Sequence, residues 1–335
     1  MTTQTQEKPL SARGLYRYHD VIGLLSAGGA GFSNPVSIAL GPDNLLYVLS
    51  RANPNQPEAV RVSRCTKDGE YVSQFGEWGD AEGQFTWVTD LAFSRRGELF
   101  VADEHAHRIS IFTPEGQFQR CFGQQGHGAG DLDRPSGLAF DRDDNLYVVD
   151  TLNHRVQRLT QQGRSLGRWG SQGSGPGQFN MPWGIAIDRQ GHLYVTDWRN
   201  DRVQKFSPAG KFLLAFGRSG AGDGELDRPT GIAVDGGGDI YVCDWRNDRV
   251  QVFDPQGGYK DTLIGHGGIS QWARGYLAAN PEVEMKLNRA TQNIEPKKRF
   301  YRPASVKVDG DGKVYVVDCY RHRVQIYQKV SALAG

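Results

Sequence analysis

Along residues 180–217 the apolar positions come in four short runs, Gly184–Ile187, Leu193–Thr196, Val203–Phe206 and Phe212–Phe216. Turn-forming residues separate them: Asp188 and Gly191, Asn200 and Asp201, Pro208 and Gly210. Runs of this length, rich in β-branched and aromatic residues and bounded by Gly, Pro, Asn and Asp, predict four antiparallel strands. The pattern recurs along most of the chain. Asp103, Asp150, Asp197 and Asp244 close the second strand of successive units and fall 47 residues apart, and Asp318 follows 74 later, one period plus 27. Pro135, Pro182 and Pro229 keep the same 47-residue interval, with Pro303 74 beyond. Ser50 fills the corresponding slot 53 residues before Asp103, one period plus 6. Six units result.

A four-stranded unit repeating every 40–50 residues or so predicts a propeller. One blade cannot bury both faces of its sheet alone, so each must pack on its neighbours around an axis. The sixth unit runs out at its third strand, Val324–Tyr327. Leu15–Ile22 is expected to supply the missing outer strand and to close the ring, which removes a long open sheet edge. The expected fold is all-β: one six-bladed β-propeller of four-stranded antiparallel blades over residues 14–329. Residues 14–23 form the closing strand, residues 265–300 a short helical insertion between blades five and six, and 1–13 and 330–335 the tails.

The repeated pattern, with P-x-G-I-A-x-D, L-Y-V-x-D, N-x-R-V-Q-x-F and F-G-x-x-G in order, resembles the NHL repeat. Units three to five carry it best, at Pro135–Leu159, Pro182–Phe206 and Pro229–Phe253, and units one, two and six more loosely. The resemblance covers roughly Phe32–Tyr327 and implies the propeller fold; that fold hosts many functions, so it implies little about activity. Some relatives bind RNA. Peptide-amidating lyases, a related propeller class, place zinc-binding histidines directly after the Pro of the inner strand. The matching positions read here are Val36, Val88, Ser136, Trp183, Thr230 and Ala304, and none is His.

Composition narrows the picture. No apolar run of the 335 residues is long enough to span a bilayer, and Met1–Leu10 is polar and unlike a signal peptide, so a cytoplasmic protein is expected. The net charge of +1 gives no broad pull toward nucleic acid or anionic lipid. Cys65, Cys121, Cys243 and Cys319 lie in separate units without a Cys-x-x-Cys pair and read as reduced thiols. No cofactor or metal is called for. His107, His154 and His322 recur in one turn, but that turn is not innermost in a blade, so a shared ion is not expected and surface histidines are. Asp103/Arg108, Asp150/Arg155, Asp197/Arg202, Asp244/Arg249 and Asp318/Arg323 each flank that turn five residues apart, and five copies point to a structural ion pair.

Both departures from the period fall on one face of the disc, the face of the second-to-third strand turns and the inter-blade links. They are Arg51–Val60 and Gly265–Phe300. In the second, Ile269, Trp272, Tyr276 and Leu277 have helical spacing, opened by Ser270 or Gly268. Asn280-Pro281 is expected to start another helix, with Val283, Leu287 and Ala290 as its stripe. Such a hairpin either packs on the rim or covers the channel mouth as a lid hinged at Gly265–Gly268 and Gly275.

On this face Arg134, Arg228 and Arg302 stand beside the repeated Pro, with Trp87, Trp183 and Tyr301; adjoining turns add Trp198, Arg199, Trp245 and Arg246, and the insertion adds Trp272. Guanidinium forks take carboxylates and phosphates, and aromatic faces hold planar or apolar groups. These eleven residues are the candidate ligand site; the competing reading pairs the arginines with Asp133, Asp201, Asp227 and Asp248 along the rim. No catalytic residue stands out. The expected function is a binding module, a monomer that recognises a protein, peptide or small anionic or aromatic ligand. An enzyme, hydrolase or lyase, with its pocket at the axial opening is the alternative. RNA binding through the Trp/Arg turns is a third, weakened by the neutral charge. An enzyme predicts an isolated Glu, Asp, His or Tyr out of register with the repeats.

Overall fold

Alternating small, β-branched and aromatic residues between tight turns give strands too short to stand alone, and the chain stacks them radially. The computed structural model describes residues 11–51, 55–282 and 298–330. Six four-stranded antiparallel sheets are present. Blade four illustrates the unit: Pro182–Ile187 innermost, then Leu193–Asp197, Arg202–Phe206 and Phe212–Phe216 at the rim. Blade six takes its outer strand from the other end of the chain, where Tyr16–Ile22 pairs antiparallel with Arg323–Lys329. Among the described residues no helix is long and apolar enough to cross a membrane.

The core is divided among the seams. Each of six apolar clusters is shared by two adjacent blades; one joins Tyr241, Cys243 and Val250 of blade five to Val306, Val314 and Val316 of blade six. The second strands, such as Leu193–Asp197, are buried along their whole length because a blade covers each face. No blade owns a core, so the apolar burial that drives folding exists only in the assembled ring.

Links between blades cross tightly. Gly170 has φ +107, and a Cβ there would lie 2.7 Å from the Phe179 ring and 2.8 Å from the His154 carbonyl oxygen, so both backbone conformation and space require glycine.

The Asp/Arg pairs pin these links, but in four blades and not five. Arg155, Arg202, Arg249 and Arg323 each donate Nε–H to the Oδ2 of Asp150, Asp197, Asp244 and Asp318 at 2.7–2.9 Å. The remaining guanidinium nitrogens clamp the preceding link; those of Arg155 reach the carbonyls of His127, Gly128 and Asp131. Asn200 and Gln204 add side-chain N–H bonds to Asp197. Burial nonetheless pushes the Asp197, Asp244 and Asp318 carboxyls up from the usual aspartate value, against the lowering by these donors. In blade two Asp103 turns instead to the Thr86 hydroxyl and the Thr86, Trp87, His105 and Ala106 N–H groups. Ala106 and Ser110 stand there where blades three to five have Asn and Gln, and Arg108 holds only backbone carbonyls.

The histidines are not plain surface residues. The Nδ1 of His107, His154 and His322 accepts the backbone N–H of Arg134, Met181 and Asn34 in the next blade, and Asp201 and Asp248 do the same for Arg228 and Arg302. A neutral imidazole acceptor and a carboxylate are interchangeable in this clasp. Among the described residues no group of His, Cys, Asp and Glu could hold a metal ion.

Candidate functional site

The inner strands converge on the face of the inter-blade links and leave a funnel of about 330 Å³ at the axis. Trp87, Trp183, Trp198 and Trp245 form most of its wall, with Val36, Ala304 and Tyr320 between them. Trp183 and Trp198 lean together, ring centroids 6.5 Å apart and planes at 37°. Trp183 sits directly after the inner-strand Pro, while Trp198 and Trp245 follow the Asp that ends the second strand, so two levels of the repeat feed one wall.

Guanidinium groups back the tryptophans. Arg228 stacks on Trp198 with its Cζ 4.3 Å from the ring centre, Arg302 on Trp245 at 4.5 Å, and Arg199 lies 5.6 Å from Trp198. The rim pairing expected as the alternative is realised for two arginines: Arg246 meets Asp227 at 3.7 Å and Arg302 meets Asp248 at 3.9 Å. Both are long, partly exposed contacts of small energetic weight. Tyr301 stacks on Tyr320 at the outer lip, 5.3 Å between centroids. Arg134 is exposed beside the blade-two turn.

Trp272 is elsewhere. The helix Gln271–Ala279 is capped by Ser270, whose Oγ accepts the Ala273 N–H at 3.1 Å. The same hydroxyl donates to the Gly23 carbonyl, and Trp272 packs edge-on against Phe32 at 5.3 Å and near Tyr71 at 6.5 Å. The helix is thereby tied to the rim where blades six and one meet, and none of its residues lines the funnel. The second expected helix, with Val283, Leu287 and Ala290, lies outside the described residues.

The register of the axial ring differs at one place from the sequence alignment. Val88 pairs with Asp103 as Pro135 pairs with Asp150, so the blade-two residue facing the axis is Thr89, not Val88. Thr89 lines the funnel and donates to the Pro135 carbonyl at 3.0 Å. The ring at this level still lacks histidine.

Two charged residues missed in the sequence stand in the funnel wall and beside it. Arg51 follows Ser50 at the position of Trp198 and Trp245, and lines the wall. Its Nε donates to the Val88 carbonyl at 2.8 Å and its guanidinium lies 4.9 Å from the Trp87 ring. No described residue takes its η nitrogens. Burial pulls its pKa down, opposed chiefly by nearby Glu104. Glu104 holds the same position in blade two, and burial raises its carboxyl, while Arg51 and Arg134 partly restore it. The signal was available: at this position the other four blades read Thr151, Trp198, Trp245 and Cys319. The Cys319 thiol also borders the funnel, pushed up to about 12 by burial and so unreactive.

Below the tryptophans the axis is nearly closed. A Cβ on Gly184 would lie 2.3 Å from the Thr230 carbonyl oxygen, and one on Gly231 2.5 Å from the Ser305 Cα, so the inner strands touch backbone to backbone. What remains is a void of about 20 Å³, the room of a single water.

The NHL repeat model matches residues 132–159, 179–206, 226–253 and 300–327. These are blades three to six, so blade six belongs with the regular units, and all four carry the formed Asp–Arg clamp. No curated protein matches the sequence. Among solved structures, virginiamycin B lyase from Staphylococcus aureus is 13% identical, with 94% of this chain and 100% of that one covered and a TM-score of 0.58. A gluconolactonase from Xanthomonas campestris is 15% identical, covering 94% and 90%, with a TM-score of 0.60. An auxiliary nutrient binding protein from Bacteroides ovatus is 15% identical, covering 94% and 77%, with a TM-score of 0.62. At these identities the likeness is one of fold. The repeats, the clamps they encode and the closed ring of six blades make this chain an NHL-repeat β-propeller.

Proposed function

We propose that the protein is a recognition module whose axial funnel takes a small ligand combining a planar aromatic group with an anionic one. The observation that carries this reading is Arg51: a half-buried guanidinium whose η N–H donors meet no acceptor among the described residues, set among four tryptophans in a blind cavity. Removing a cation from water without a partner is unfavourable, and an entering carboxylate supplies charge-assisted hydrogen bonds in a screened site. The tryptophan faces hold the planar part, while Arg228 and Arg302 fix two of those rings from behind.

Tryptophan emission tests this with 1-naphthoate against 1-naphthylmethylamine. The acid is expected to quench saturably and the amine to bind far more weakly. Arg51→Met should weaken the acid by about tenfold or more, the loss of a charge-assisted contact. Equal quenching by acid and amine, with Arg51→Met unchanged, would sink the reading.

Glu104 gives the enzyme alternative a specific observation. It is an acidic group at a repeat position where no other blade has an acid, with a raised pKa, beside Arg51. Such a group serves as a general acid near neutral pH. Glu104→Gln separates the two readings, because it abolishes turnover of a hydrolase or lyase substrate but leaves naphthoate binding in place. The nutrient-binding and lyase relatives of the fold are compatible with either. RNA binding would instead show affinity falling steeply with salt.

A further inference from the structure

The opposite mouth of the disc is built differently. There the turns joining first and second strands surround a cavity of about 500 Å³, walled by the inner-strand ends Phe93, Phe140, Ile187, Val234 and Val308. Arg95, Arg142 and Arg189 occupy one position in the turns of three consecutive blades, two to four. Blades five, six and one carry Gly236, Gly310 and Pro42 at that position. The cations thus form an arc on one side, and the facing side lacks long side chains. The space is used: a Cβ on Gly236 would lie 2.6 Å from the Arg189 Nη2, so Arg189 lies across its neighbour's glycine.

The arc is not neutralised. Arg95 donates Nη1–H to the Arg142 carbonyl at 3.1 Å, which ties the two neighbouring turns together. Among the described residues none of the three has a carboxylate within salt-bridge distance. The four aspartates at this mouth are engaged elsewhere. Asp141 meets Arg158 at 3.3 Å, Asp188 meets His192 at 3.0 Å, Asp235 meets Lys329 at 2.9 Å and Asp309 meets Lys67 at 3.4 Å. Each also accepts N–H groups of its own turn.

A fourth cation stands below. The residues opposite Tyr47, Phe100, Tyr147, Tyr194 and Tyr241 in the inner strands are Ala39, Ala92, Ala139, Ala186 and Ala233, but the one opposite Tyr315 is Lys307. Five alanines and one lysine line the throat, and Lys307 has no ion pair among the described residues. Asp90, which borders the narrow void with it, has its oxygens committed to the Ser37 hydroxyl and the Leu138 N–H.

The geometry points to a second ligand site at this mouth, for a small amphipathic anion. A carboxylate or phosphate head meets the Arg95–Arg142–Arg189 arc, where guanidinium forks match two oxygens at once. The apolar body crosses to the open side over Phe93, Phe140, Ile187, Val234 and Val308. Lys307 adds positive potential from within a low-dielectric throat that focuses it. The site is independent of the funnel.

The full chain is titrated by calorimetry with octyl phosphate, octanoate, octanol and inorganic phosphate, and the amide resonances of Gly191, Gly236 and Gly310 are followed. At least one octyl anion is expected to bind about tenfold or more tightly than octanol and than phosphate alone, and to shift those amides. The tighter of the two identifies the head group. The Arg142→Ser/Arg189→Ser double variant, at exposed positions, is expected to melt normally and lose at least about tenfold in affinity, and Lys307→Ala to lose less. The proposal is overturned if octanol binds as well as both anions, if the double variant binds unchanged, or if the shifts fall on the funnel tryptophans instead.

Discussion

Blades three to five and blades one and two are cut from the same repeat yet finished differently. In the former, Asp, Asn, Arg and Gln close a clamp around each link, and the residue after the Asp is Thr151, Trp198 or Trp245. In blade two the Asp has rotated away from its Arg, and in blade one Ser50 replaces it while Arg61 holds the link through the carbonyls of Ser26, Ala27 and Gly31. The two blades that relinquish the clamp carry the charged pair at this mouth, Arg51 in the funnel wall and Glu104 beside it. Uniform blades supply rigidity; the irregular pair supplies charge at a cavity whose other walls are mostly aromatic and apolar.

The sharpest way to break this contrast is Asp197→Ala. It strands Arg202, Asn200, Gln204 and the Asn180 N–H in a buried place, and a loss of about 3–5 kcal/mol in urea unfolding is expected. A loss below about 1 kcal/mol would mean the clamp is ornamental. Next in size is a pairwise test. Arg155→Met should destabilise more than Arg108→Met, because only Arg155 leaves a carboxylate behind at a fully buried site. Equal losses would erase the distinction between the blade classes.

A smaller effect is expected from acid. Burial holds the His154 and His322 imidazoles below the usual histidine value, and their Nδ1 atoms act as acceptors. The stability from their neutral form is therefore complete above about pH 6.5 and is lost as the pH falls through and below that value, where the unfolded chain takes up protons first. Melting temperature should drop between pH 7 and 5, and less so in His154→Asp/His322→Asp, which copies the clasp of Asp201 and Asp248. The smallest stability change is expected for Arg51→Met, about 1 kcal/mol by thermal melting, since only its Nε bond to the Val88 carbonyl is lost. A large loss there would make Arg51 a structural residue.

The sheet order, the blade count and the helix opened by Ser270 were legible in the sequence because each rests on local pattern: period-two alternation, turn residues, a capping hydroxyl. The tryptophan wall was legible in part, since Trp183, Trp198 and Trp245 sit at register positions that the repeat itself defines. Arg51 and Glu104 were not legible as a pair because the position after the Asp reads Trp in two blades, and the aromatic type, not the position, marks it in the sequence. Blade two's axial residue slipped by one because Val88 stands where the others have Pro. Trp272 looked like a pocket residue by composition, yet one serine hydroxyl bonded to Gly23 sets it on the rim. No pattern along the chain encodes a contact made across nearly 250 positions.

The glycine-paved pinch beneath Thr230 makes the disc a bulkhead, not a pipe. A molecule that descends past the tryptophans must leave by the way it came, and whatever rests on the arginine side never meets it. Among the described residues the inner strands are the partition between the two mouths, so the two proposed sites fill each at its own ligand's concentration.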